Sequence, residues 1–180
     1  HGVIPAYFEA GLPKLDGVTI RIVPEAAARL AALDSGAVDI VWNLPYESVE
    51  KYKNHPAARA DAVSTATWDG VILNNERPPF DDVRVRQALA ATIDKEALVE
   101  IVLFGQGAPT HSPIPPSHPY FNKAIPVGKP DIAKARKLLA EAGLPNGFEV
   151  SMQVPMEREQ RVRLGVAVRD MARAAGIRFN

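Results

Sequence analysis

The chain switches between a helical and a strand period, and the switch points mark its elements. The sharpest run spans positions 78–105. Pro78 and Pro79 stop whatever precedes them, because proline has no N–H for a ladder and pushes its predecessor away from helix. Asp81 or Asp82 then stands where a carboxylate accepts from first-turn N–H groups and suits the positive end of a helix dipole. Val85, Leu89 and Ile93 recur at i, i+4, i+8 and form one apolar stripe, with Arg84, Arg86 and Gln87 off it. Asp94 interrupts the run and starts a second helix, with Leu98, Ile101 and Val102 inward and Gly105 as its stop.

Before this run, Tyr7 and Phe8 anchor an irregular lead-in over residues 7–17. Val18, Ile20 and Ile22 alternate with Thr19 and Arg21, the period of a strand. Pro24 opens an alanine-rich helix with Ala26, Leu30 and Leu33 inward and Gly36 beyond its end. Residues 38–42 form a short apolar strand. Strand, helix and strand predict a right-handed, parallel βαβ unit. Pro45 opens another helix, with Tyr46, Val49 and Tyr52 along one side and Asn54 near its end. Residues 60–75 alternate loosely, as two strands broken near Trp68-Asp69-Gly70 or as one long bent strand.

Prolines cluster between Pro109 and Pro130 and predict a long irregular loop. Pro130 starts a helix with Ile132, Ala135, Leu138, Leu139 and Ala142 inward and Gly143 beyond it. Asn146-Gly147 is a turn, after which Phe148, Val150, Met152 and Val154 alternate with polar residues as a half-buried strand. Leu164, Val168, Met171 and Ala175 give the stripe of a last helix. Gly176 ends it, and Ile177-Arg178-Phe179 begins a strand. The class is α/β.

Composition removes several functions. Hydrophobic content is 47%, and 21 acidic side chains balance 21 basic ones, so charge gives no reason to expect nucleic acid or an anionic membrane as partner. No apolar run is long enough to span a bilayer. The start, His1-Gly2-Val3-Ile4-Pro5, shows no signal peptide. Absence of cysteine excludes thiol catalysis, disulfides and thiolate metal sites.

The histidines, His1, His55, His111 and His118, lack the i, i+4 spacing of a zinc pair. His111 and His118 share a loop, where the surface reading outweighs a metal site, so no metal or cofactor is expected. No nucleophile elbow is present. Asp81-Asp82 and the Glu157/Glu159 pair fit helix starts without catalysis. Arg158, Arg161, Arg163, Arg169 and Arg173 interleave with Glu157, Glu159 and Asp170, which predicts a salt-paired helix. The turn Val23-Pro24-Glu25-Ala26 has no glycine and carries an acid, so it is no phosphate cradle.

Several motifs together resemble the extracellular solute-binding proteins of family 5, which serve ABC importers of peptides and nickel. They are Leu73-Asn74-Asn75, Pro79-Phe80-Asp81-Asp82, Val85-Arg86-Gln87-Ala88-Leu89 and Ile93-Asp94-Lys95, in the family's order and spacing. Residues 29–40 and 138–148 match two further family segments, and residues 7–17 its lead-in. The resemblance implies a periplasmic binding protein-like II fold, two α/β lobes joined by a hinge. Because family members are much longer, this chain is expected to be an internal piece. Residues 1–75 would belong to the first lobe, ending in a hinge strand, and residues 76–180 to the second.

The implied function is capture of a peptide or similar small solute between the lobes and delivery to membrane permease subunits of an ABC importer. The implied place is the periplasm, or the extracellular face with a membrane anchor. The implied chemistry is enclosure, not catalysis. Trp42 at a strand end and Trp68 at the lobe crossing are candidate cleft walls. Asn74 is a candidate bond to a ligand's backbone. Thr110, His111 and Ser112 lie in a loop whose family counterpart is near the cleft. Core packing explains either tryptophan as well, and closure of the hinge turn explains Asn74. This stretch alone would hold half a cleft and is expected to bind solute weakly or not at all. The alternative parent is a transcription regulator that uses the same fold to sense a ligand, distinguished by an upstream DNA-binding domain instead of a secretion signal.

Overall fold

The computed structural model describes residues 8–9, 11–12, 14–63, 65, 67–156 and 158–180. His1, Tyr7 and Glu157 lie outside the described residues. The chain divides into two compact units, His1–Ala60 and Asp61–Asn180.

In the first unit, α1 (Ala26–Asp34) turns Ala26, Leu30 and Leu33 to its half-buried side, and Gly36 follows with φ +71°. A 3-10 turn (Tyr46–Ser48) runs into α2 (Val49–Lys53). As expected, Val49 and Tyr52 form its inner face, at 5% and 1% exposure. The Tyr52 hydroxyl donates to Asp34 Oδ1 at 2.6 Å, and Lys51 Nζ donates to Asp34 Oδ2 at 2.8 Å. A buried ring with a satisfied polar tip therefore fastens α2 to the end of α1.

Neither strand expected at residues 18–22 and 38–42 forms. Both segments lack a ladder partner among the described residues, and Ile20, Ile22, Ile40 and Trp42 are 84–91% exposed. Of the anticipated βαβ unit only the helix is assembled. An extended segment becomes a strand when neighbouring backbone satisfies its N–H and C=O groups, and the side-chain period cannot supply that neighbour. Residues 60–75 likewise carry no strand among the described residues, with Val63 80% and Ile72 89% exposed.

The second unit holds α3 (Val83–Thr92), α4 (Lys95–Leu103), α5 (Ile132–Glu141), β1 (Phe148–Val150), α6 (Glu159–Arg173) and β2 (Ile177–Phe179). β1 and β2 pair in parallel, with Phe148 opposite Ile177 and Val150 opposite Phe179. α6 is the crossover between them and packs on β2, while α3 packs on α5 and α6. Val85, Leu89, Leu139, Val168, Ala172 and Ile177 close the core, each 4% exposed or less. Burying an aliphatic side chain of this size is worth about 1.5–3 kcal/mol. Phe80 meets Phe148 edge-on with ring centroids 5.7 Å apart.

Asp82 is the cap of α3, accepting from Arg84 N at 2.7 Å, and Asp81 accepts from Asp82 N at 3.0 Å. Asp94 caps α4 and Asp131 caps α5, through Ala97 N at 2.9 Å and Lys134 N at 2.8 Å. One stripe position departs from expectation: Ile101 is 55% exposed, and Val102 alone is buried on α4. On α3, Thr92 completes the buried face in front of the half-buried Ile93, its hydroxyl satisfied by Leu89 O at 2.7 Å. Two arginines of α6 pair with the interleaved acids as predicted, Arg163 with Glu159 at 2.6 Å and Arg169 with Asp170 at 3.0 Å, while Arg161 pairs at 3.3 Å with Asp69, outside the helix. Gly147 is the tightest point. Its φ is +76°, and a Cβ there would lie 2.0 Å from the carbonyl oxygen of Gly176.

Candidate functional site

Three of the six candidate residues share one turn. Thr110 Oγ1 donates to Ser112 O at 2.9 Å and accepts from Ser112 N at 3.2 Å. Ser112 Oγ repeats the pattern with Ile114 O and Ile114 N, both at 3.2 Å. Two consecutive hydroxyl turns shape a loop in which three prolines (Pro113, Pro115 and Pro116) leave few backbone donors. Between the two hydroxyl residues, the His111 ring packs on Phe121 with centroids 4.7 Å apart, and its Nδ1 is buried without a hydrogen-bond partner among the described residues. The sequence carries no local signal for Phe121, which lies ten positions on in the same loop.

The other three candidates stand on the irregular segments. Trp42 belongs to the first unit; its indole is 84% exposed, and the next residue, Asn43, has φ +59°. In the second unit, Trp68 is 40% exposed and folds its six-membered ring over Gly70, where a Cβ would lie 2.2 Å from Trp68 Cζ2. Glycine at position 70 makes that close approach possible. Asn74 Oδ1 accepts from Glu76 N at 3.0 Å and closes a turn ahead of the two prolines.

Chemically this set is suited to contact and not to bond-breaking. The Ser112 hydroxyl is committed to a backbone carbonyl, and no base stands beside it in its hydrogen bonds. Among the described residues, no group of three or more histidine or carboxylate side chains is arranged to hold a metal. Two open grooves in the second unit lie elsewhere. One, of about 410 Å³, runs from Pro78 and Asp82 to Leu144; the other, of about 340 Å³, runs between Ile101 and Val166. Neither takes in any of the six residues. No helix among the described residues is long and apolar enough to cross a membrane.

Two charged clusters escaped the sequence reading. Asp34 is held below the usual carboxylate range, first by the hydrogen bond from Lys51 and then by that from Tyr52. Lys51 is raised in return, chiefly by Asp34. Tyr52 is raised by its bond to Asp34 and then by burial. His55 stands beside them, with Nε2 4.0 Å from Asp34 and its ring 5.2 Å from that of Tyr52. In the second cluster Arg84 holds Asp82 below the usual carboxylate range and reaches Glu141 O at 2.6 Å, joining the start of α3 to the end of α5. The partners are 17 and 57 positions apart, beyond any local motif.

Residues 4–180 match the profile of the bacterial extracellular solute-binding proteins, family 5 middle region. The glutathione-binding protein GsiB of Pectobacterium atrosepticum is 33% identical over 96% of this chain, which covers 35% of that relative. Heme-binding protein A of Haemophilus influenzae is 37% identical over 80% of the chain and 26% of its own length. Among solved structures, the periplasmic binding protein DppA of Helicobacter pylori with a bound peptide superposes with a TM-score of 0.77 over 89% of this chain and 31% of that one, at 24% identity. The binding protein AgaA of A. tumefaciens R10 with agropinic acid gives 0.75 over 97% and 36%, at 26% identity. The chain thus spans 26–36% of the length of these relatives. The fold matches part of a type II periplasmic binding protein, and members of the family are binding proteins, not enzymes. With the profile covering nearly its whole length, the chain belongs to the bacterial extracellular solute-binding proteins of family 5.

Proposed function

We propose that the protein carrying this chain is the substrate-binding component of an ABC importer, which captures a peptide or peptide-like small solute in the cleft between its lobes and delivers it to a membrane permease. The observation that carries this reading is the family match across residues 4–180. The names of the relatives support a small organic solute, since one binds glutathione and another heme. The working place is the periplasm, or the outer face of a membrane to which the protein is anchored.

In this reading residues 1–75 contribute to the first lobe and residues 76–180 to the second. Trp42 and Trp68 are walls of the solute site, and His111 offers Nδ1 to a polar group of the solute. An exposed indole and an unpartnered ring nitrogen support those two roles. Asn74, Thr110 and Ser112 border the site through their turns and keep its outline fixed.

Calorimetric titration of the family-length protein with glutathione and with di- to tetrapeptides tests the proposal. Saturable one-to-one binding in the micromolar range or tighter, weakened at least tenfold by Trp42→Ala or His111→Ala, is expected. No heat with any of these solutes would overturn the peptide-like assignment. A DNA-binding domain preceding this region in the parent would replace the importer with the regulator.

A further inference from the structure

Arg29 lies in the second turn of α1, half-buried, and among the described residues it has no carboxylate partner. Its guanidinium instead meets three backbone carbonyls. Nη1 donates to Val23 O at 2.9 Å and to Pro24 O at 2.6 Å, and Nη2 donates to Asn43 O at 3.4 Å. Nε is buried and finds no acceptor among the described residues. A cation taken partly out of water without an opposite charge is costly, so its carbonyl bonds must offset the loss.

Those carbonyls sit at two informative places. Val23 and Pro24 follow residues 18–22, and Asn43 follows residues 38–42, which bend at Asp39 and Trp42. Neither segment has a ladder to fix it. The same Asn43 holds a left-handed φ of +59°, a conformation that asparagine enters more readily than other residues with a Cβ and that a carbonyl bond can hold in place. Trp42, 84% exposed, is its direct neighbour. A planar fork with several fixed donors can bridge carbonyls on two segments, whereas an ammonium is a single point and serves one.

We propose that Arg29 is the positioning residue for Trp42: it clips the ends of the two segments together and sets the Asn43 turn that presents the indole to solute. The role of the indole rests on the reading of Trp42 as a wall of the solute site; the clip itself does not.

The test is backbone ¹⁵N relaxation on the chain with Arg29, Arg29→Lys and Arg29→Ala. With Arg29, order parameters at residues 23–24 and 42–43 are expected near the rigid value of about 0.85. In Arg29→Lys, residues 23–24 keep that value, because one ammonium still reaches their adjacent carbonyls, and residues 42–43 fall below about 0.6. Arg29→Ala lowers both pairs. In all three, α1 keeps its order, which separates positioning from general loss of structure. Unchanged order at 42–43 in Arg29→Lys overturns the inference, and so does a uniform loss along α1. Trp42→Ala reports on the other reading. If it leaves glutathione and peptide affinity of the family-length protein untouched, the indole is no solute wall, while the relaxation result still decides the clip.

Discussion

Two stretches of this chain carry the same strand–helix–strand pattern and end differently. At residues 148–179 the strands pair in parallel across α6, and Ile177 is fully buried. At residues 18–42 the helix forms, but its flanking segments stay unpaired with apolar side chains up to 91% exposed. Local pattern is comparable in the two. What differs is what the crossover helix finds to pack on. α6 has 15 residues and buries Gly165, Val168 and Ala172, whereas α1 has 9 and buries none completely. A helix that buries its apolar stripe on a sheet holds the two strands in register; one that does not leaves them without a reason to meet. Alternation therefore states which residues are able to pair, and the rest of the core decides whether they do.

The comparison breaks most visibly in the second unit. Leu139→Ala empties a position 1% exposed at the centre of that core and is expected to destabilise it by about 2–5 kcal/mol in urea unfolding. In the absence of urea the amide signals of the first unit's helices should stay where they are in the unsubstituted chain. Gly147→Ala comes next. Its Cβ would meet the Gly176 carbonyl in a backbone conformation that suits glycine, at a cost of about 1–3 kcal/mol, read as a lower urea midpoint.

Tyr52→Phe sharpens the comparison from the other side. The first unit leans on a polar clasp, and its pH dependence follows from the shifts. Asp34 is depressed, so its contribution is present above the ordinary carboxylate pKa and is lost as pH falls through the depressed one. Lys51 and Tyr52 are raised, so theirs is present below their ordinary pKa values and is lost as pH rises through the raised ones. Tyr52→Phe should shrink both arms at α2 resonances and leave α5 and α6 unaffected. The smallest effect belongs to Ile22→Ser. At 91% exposure it should change stability by less than about 0.5 kcal/mol, while reducing self-association of the chain in sedimentation. A loss comparable to that of Leu139→Ala would mean that residues 18–22 are packed after all.

Helices were legible because their signals are local. Caps at Asp82 and Asp94 and stops at Gly36, Gly105, Gly143 and Gly176 lie within a turn of the stripes they bound. Strands were legible only where the partner lies within reach in the same unit. The site was less legible still. Thr110, His111 and Ser112 could be placed together because they are adjacent, but the Phe121 contact and the Arg29 clip join positions that no spacing rule connects. Family membership was readable from motif order, because several short segments at fixed separations are far more specific than any one of them.

The most direct test of this account is amide hydrogen exchange on the chain, comparing residues 18–22 and 38–42 with residues 148–150 and 177–179. The account expects near-unprotected exchange in the first pair of segments and protection close to the global unfolding limit in the second. That result would locate the self-sufficient core in the second unit and leave the first without one of its own. Equal protection in both would contradict it, since a paired sheet would then exist where the structure shows two segments without a ladder among the described residues.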